Sequence, residues 1–186
     1  MDQTPEVVKR APLIVFNGKD PMSKVKINSE IRELYSQIGG LIKLKKYKKS
    51  ITLLNTVKTR YPQLSGPDYQ LARVYYRQGD LEKALVAVDA SIAKNQRNYY
   101  SVNFRGVVLR SQGKFKQAKE SYLKAIAIYP PYPNAHLNLG VLADIYLGEL
   151  KLALVQYQSY MELIGNKDKD VANWVIEIER RIKAGG

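Results

Sequence analysis

The chain has no cysteine and a single histidine, His136. Disulfide frameworks, thiol nucleophiles and His/Cys metal sites are thereby excluded together. A cysteine-free chain folds in any redox compartment, so this absence places it nowhere. Long apolar runs are also missing. LIVF, Leu13 to Phe16, is shorter than the ~7 to 15 residue core of a signal peptide and far below the ~18 residues of a membrane span. No segment alternates as a strand, so no glycine-rich phosphate loop follows one. The carboxylates Asp80, Glu82, Glu120 and Glu149 are scattered over turns and outer faces with no reason to converge as an acid/base pair. Neither catalysis nor a metal or cofactor is expected, and His136 falls at an inward-packing position.

Acidic residues are scarce: 17 Asp and Glu stand against 30 Lys and Arg in 186 residues, for a net charge of +13. The excess is uneven, with 13 bases against 5 acids in residues 1–64 and 17 against 12 in the rest. The densest cluster is KLKKYKK, holding Lys43, Lys45, Lys46, Lys48 and Lys49. Such a field attracts anionic partners, and the attraction weakens with salt.

Hydrophobic residues make up 45% of the chain, enough for a folded core. The pattern that organises them is a repeat. Gly79 and Gly113 lie 34 residues apart, as do Ala84 and Ala118, and Gly148 with Ala153 follow 35 residues later. Backwards in the same frame come Tyr47, Ser50, Leu54, Val57 and Pro62, with Lys45 in the glycine's place. Four units result: 31–64, 65–98, 99–132 and 133–167. Apolar residues recur every three to four positions on both sides of each glycine, as in Val102, Leu109, Phe115, Ala118, Tyr122 and Ala125. Each unit is therefore expected to be a pair of amphipathic helices around a tight turn. Pro62 and Pro130 close second helices, and Pro67 and Pro133 suit first turns. The added residue in LADIYLGEL should distort the first helix of the fourth unit or lengthen its turn. Residues 169–183 read as a final capping helix, with Val171, Trp174 or Val175, Ile178 and Ile182 on its apolar stripe and Trp174 in the core. Residues 1–27, with three prolines and no helical rhythm, read as an extended arm before a repeat domain at 28–186.

These residues resemble the tetratricopeptide repeat family, whose 34-residue frame sets large apolar, small and proline positions. The unit at 99–132 carries Gly106, Leu109, Gly113, Phe115, Ala118, Tyr122, Ala125 and Pro130 in those places. The unit at 31–64 departs most, with Ile38 and Val57 at small positions. The resemblance implies an all-α, right-handed superhelical solenoid of about four helix-turn-helix repeats plus a C-terminal capping helix. The last repeat and its tail are also similar to small envelope proteins and lipoproteins of Gram-negative bacteria. A Met followed by polar, proline-containing sequence is what remains when a leader is replaced by a start codon. The expected compartment is thus the periplasm or outer membrane if a leader has been removed, and the cytoplasm otherwise.

In the family the first helix of each pair lines a concave groove. Carried onto this sequence, the groove positions give Tyr69, Arg73, Tyr76 and Arg77, then Tyr100, Asn103 and Arg110, then Asn134 and Leu137. Tyr supplies rigid area with a hydroxyl and Arg a planar fork for carboxylates, a mixture found at interaction hot spots. The family's carboxylate clamp is not expected, because Tyr69 and Arg73 stand where Lys and Asn belong. The function implied is a non-catalytic adaptor holding a peptide or protein segment, acidic or with a free C-terminal carboxylate, in assembly of a bacterial envelope complex. The alternative is an anionic-surface binder, membrane or nucleic acid, acting through Lys43 to Lys49. Nucleic acid is the weaker choice, because Tyr47, Tyr75 and Tyr122 fall on packing positions. Self-association through LIVF in the arm is a further option.

Overall fold

A computed structural model describes residues 28–185. The expected arm, with its LIVF tetrad, lies outside the described residues. Two compact units divide them, 28–114 and 115–185. All regular structure among the described residues is helical.

The first unit runs α1 (Ser29–Lys43), α2 (Tyr47–Arg60), α3 (Gly66–Arg77), α4 (Leu81–Lys94) and α5 (Tyr99–Ser111). Each helix packs on the next along this unit. Its core gathers Ile38, Leu54, Val57, Leu71, Ala72, Val74, Ala87 and Val88, with Tyr47 and Tyr75 packed against it. Asn28, Asp80 and Asn98 cap α1, α4 and α5 by accepting from the backbone N–H three residues on. Short polar side chains at these positions satisfy helix donors that would otherwise have no partner. The turns between paired helices use left-handed backbone: Gly79 at φ 80° and, in the divergent first repeat, Lys45 at φ 55°. The frame thus imposes its turn geometry even where the sequence withholds glycine.

An ionic cluster sits inside this unit. Asp68, in the first turn of α3, is fully buried, and its carboxylate meets Lys58 Nζ of α2 at 2.7 Å and Lys94 Nζ of α4 at 2.6 Å. Beside it Ser91 donates to the Ser65 carbonyl at 2.8 Å, Ser91 and Ser101 share a 2.8 Å hydroxyl bond, and Asn98 Nδ2 donates to Ser65 Oγ at 3.1 Å. Ser91, Ser101 and Asn98 are kept inside because each finds a hydrogen-bond partner there.

The second unit runs α6 (Phe115–Ile128), α7 (Pro133–Val141), α8 (Leu150–Leu163) and α9 (Lys169–Gly185). Its core comprises Ala143, Ala153, Leu154, Tyr157, Met161, Val171 and Ile178. The additional residue of the fourth repeat is absorbed as a π-helical segment, Leu142–Leu147, that continues α7 and ends at left-handed Gly148. A wider turn admits one more residue without breaking the helix axis. Gly140 is required by space: a Cβ there would lie 2.6 Å from the ring of buried Tyr157. His136 is buried as expected, its Nε2–H donating to the Pro130 carbonyl at 2.8 Å with Nδ1 2.9 Å from Gln156 Oε1.

Helix α9 buries Val171 and Ile178 and half-buries Val175 and Ile182. Trp174 is a correction to the sequence reading: it is 42% exposed, and its ring lies tilted against Tyr157 at 5.5 Å. The stripe centres on Val171, Val175, Ile178 and Ile182, and a bulky indole at its margin cannot follow them inward. The helix also runs to Gly185, two residues beyond the expected end.

Candidate partner-binding face

Helix α3 places Tyr69, Arg73 and Tyr76 at intervals of four and three residues, with Arg77 adjacent, so all four share one flank. The Arg73 guanidinium lies over the Tyr69 ring at 5.6 Å and donates to Gln70 Oε1 at 3.2 Å. Phe104 of α5 meets both tyrosines edge-on, at 5.9 Å from Tyr69 and 5.5 Å from Tyr76. Edge-to-face packing of this kind holds rings in one orientation. Tyr76 Oη and Ser111 Oγ, 3.0 Å apart, tie the α3 and α5 ends of the face together. Tyr100 is 37% exposed and stacks at 4.2 Å on Tyr99, which is buried.

Electrostatics link the same residues. Burial pushes the Tyr69 hydroxyl above its ordinary pKa and Tyr100 adds to the rise, whereas Arg73 and Arg77 oppose it. A phenol held neutral here keeps its proton to donate. Arg77 is exposed, and Arg110, in the last turn of α5, carries a buried Nη1 with no acceptor. None of the three arginines meets a carboxylate among the described residues. The nearby acids are engaged elsewhere: Asp68 with two lysines, Asp80 with Lys83, and Asp89 with Arg105. The arrangement can accept an anion through planar charge-assisted donors beside aromatic area.

The expected groove residues do not all share this environment. Asn103 is only 6% exposed and is part of the interior of α5. Leu137 packs against the core of the second unit, whereas Asn134 is exposed at the start of α7. Phe104 escaped the sequence reading, because it is not one of the family's groove positions. Its spacing, four residues after Tyr100, was the available signal. The basic residues Lys43, Lys45, Lys46, Lys48 and Lys49 are all exposed around the α1–α2 turn. No group of His, Asp and Glu side chains among the described residues is placed to hold a metal ion.

Residues 106–143 match the family profile described as TPR repeat. The helical hairpins of the described residues are similar to tetratricopeptide repeats. The tetratricopeptide repeat and J domain-containing co-chaperone DNJ1 of Fusarium oxysporum f. sp. lycopersici is 34% identical over 86 residues, which is 46% of this chain and 16% of that protein. The chain therefore spans about a sixth of that curated relative's length. Among solved structures, Pseudomonas aeruginosa PilF superposes with a TM-score of 0.73 at 20% identity, over 83% of this chain and 70% of that one. The first TPR of Spaghetti (RPAP3), bound to the HSP90 peptide SRMEEVD, gives 0.61 at 19% identity over 65% and 94%. At these identities the structural likenesses establish the fold. Tetratricopeptide repeats are protein–protein interaction scaffolds whose stacked hairpins expose binding surface along one side.

Proposed function

We propose that this protein is an adaptor that holds an acidic peptide segment, or a free C-terminal carboxylate, on the α3–α5 face of residues 28–114. The observation that carries the reading is a set of arginines, Arg73, Arg77 and Arg110, that meet no carboxylate within a face framed by Tyr69, Tyr76, Tyr100 and Phe104. Arg73 and Arg77 supply charge-assisted donors, and Tyr69 and Tyr76 supply area. A carboxylate can pair with guanidinium donors of this kind, which an apolar segment cannot do. The peptide in the RPAP3 structure carries two Glu and one Asp, which supports ligand chemistry of this sign on this fold.

The test is titration of a fluorescent acidic heptapeptide, with free and with amidated C-terminus, into the intact chain and into the Arg73→Ala, Arg77→Ala double variant. Loss of two hot-spot arginines is expected to weaken binding by about 30-fold or more, with helicity and melting unchanged. Equal affinity of the double variant would sink the assignment. An unchanged Kd on amidation would assign the face to acidic side chains and not to a chain terminus.

A further inference from the structure

The α1–α2 turn carries a charge cluster that the peptide-binding reading does not use. No acidic residue occurs between Glu33 and Asp68, and that stretch holds Lys43, Lys45, Lys46, Lys48, Lys49, Lys58 and Arg60. Lys58 and Arg60, near the end of α2, pair with Asp68 and Glu30. The other five lysines are exposed, and none pairs with an acid among the described residues. In their midst Leu44 is 66% exposed. Backbone bonds from Lys45 N to the Ile42 carbonyl (3.0 Å) and from Lys46 N to the Leu41 carbonyl (2.9 Å) close the turn, so these side chains project from a fixed loop.

Three placements here work against stability. Lys45 takes the left-handed conformation that Gly79, Gly113 and Gly148 take at the equivalent turns, which is unfavourable for a residue with a Cβ. Lys46 occupies the N-cap of α2 and makes no side-chain cap bond, where α1, α4 and α5 have Asn or Asp. Lys48 and Lys49 add positive charge to the first turn of α2, at the positive end of the helix dipole, with no acid beside them. Folding alone favours a different residue at each of these positions, so the cluster points to a requirement outside the fold.

We propose that the α1–α2 turn docks on an anionic lipid bilayer, the five lysines lying among the headgroups and Leu44 entering the interfacial layer. Lysines are attracted to an anionic leaflet additively and without a fixed geometry, and an exposed aliphatic side chain among them gains by leaving water there. Nucleic acid fits less well. Tyr47, the one aromatic residue in the cluster, packs on the core and offers no ring for base stacking. The cluster has no arginine to fork onto base edges, and Leu44 has no counterpart along a phosphate backbone. Such docking needs no spanning helix, and no described helix is long and apolar enough to cross a membrane.

The experiment is co-sedimentation of the full chain with phosphatidylcholine vesicles, and with vesicles carrying about 30% phosphatidylserine, across ~0.05 to 0.5 M salt. Binding is expected only to the anionic vesicles and is expected to fall with salt. Lys48→Glu with Lys49→Glu should reduce partitioning at least tenfold, at roughly fivefold per lysine, while raising the melting temperature. Leu44→Ser should reduce it by about tenfold with the salt dependence retained. Three results would overturn the proposal: equal binding to neutral vesicles, binding indifferent to the lysine and Leu44 variants, or no vesicle binding. A chain that ignores vesicles yet retains duplex DNA or single-stranded RNA, losing it in the lysine variant, would assign the patch to nucleic acid.

Discussion

Helices α3 and α7 open the second and the fourth repeat, yet they use the same place in the frame in opposite ways. Helix α3 carries Tyr69, Arg73, Tyr76 and Arg77 on one flank and buries Asp68 between two lysines at its start. Helix α7 has no acidic residue in its first turn and no basic residue in its last; it buries His136 against a backbone carbonyl and continues into a π-helical segment. The repeat frame demands only small and apolar residues at its packing positions. Everything else on the helix is free to specialise, so the first unit concentrates ionic chemistry while the second devotes α7 to packing. That difference makes α3, and not α7, the place to look for a polar ligand.

The sharpest way to break the comparison is to remove the partners of Asp68. Lys58→Met with Lys94→Met leaves a fully buried carboxylate uncompensated, and urea unfolding should show a loss of about 3–5 kcal/mol. Adding Asp68→Leu to that pair should restore most of it, because an apolar trio needs no desolvated charge. An unchanged midpoint in the double variant would show that the cluster is incidental.

Next in size is Gly140→Ala in the second unit. Its Cβ would run into the Tyr157 ring, and overpacking of this kind costs about 1–3 kcal/mol. The same frame position in the first repeat is Ile38, buried without difficulty, so the two units differ in how closely their paired helices approach. Thermal melts of Gly140→Ala beside Ile38→Ala test this. Each should destabilise, the first by crowding and the second by a cavity, and Tyr157→Leu should rescue only the first.

Smaller and of opposite sign is Lys45→Gly. Relieving a left-handed lysine should stabilise the chain by about 1 kcal/mol, and Gly79→Lys should cost about as much. Equal melting of wild type and Lys45→Gly would mean that the turn at Lys45 is not held in this conformation in solution.

The smallest expected effect is at low pH. Asp168 accepts the Val171 and Asp170 backbone N–H groups at the start of α9, and Asp80 accepts from Lys83; these bonds hold both carboxyls below the usual value. A carboxyl depressed in the folded state contributes stability above its unfolded pKa and loses it as pH falls through the lower folded value. The loss should therefore begin below about pH 4. Asp80→Asn and Asp168→Asn together should flatten that limb of an acid titration, and an unaltered limb would locate the acid sensitivity elsewhere.

Much of the architecture was legible in the residues. The 34-residue interval of Gly79 and Gly113 marked the turns, and the added residue in LADIYLGEL marked the place where helix geometry had to change. The residues expected on α3 came from the family's groove positions, and their spacing places Tyr69, Arg73, Tyr76 and Arg77 on one flank of that helix. Three features were not legible. Phe104 belongs to the face through contacts with another helix, Asn103 leaves it by turning inward, and Trp174 stays at the margin of α9 instead of entering the core. Each depends on how neighbouring helices approach, which no interval within one helix records.

The sequence by itself determined the hairpins, their turns and the sign of the surface, because glycine spacing, apolar period and charge act locally along the chain. Only the tertiary structure decided which charges have partners. Asp68, Lys58 and Lys94 come from three helices, and burial makes their pairing obligatory. The five lysines between Lys43 and Lys49 come from one turn and pair with no acid among the described residues, so only the fold shows that their charge is left exposed to water.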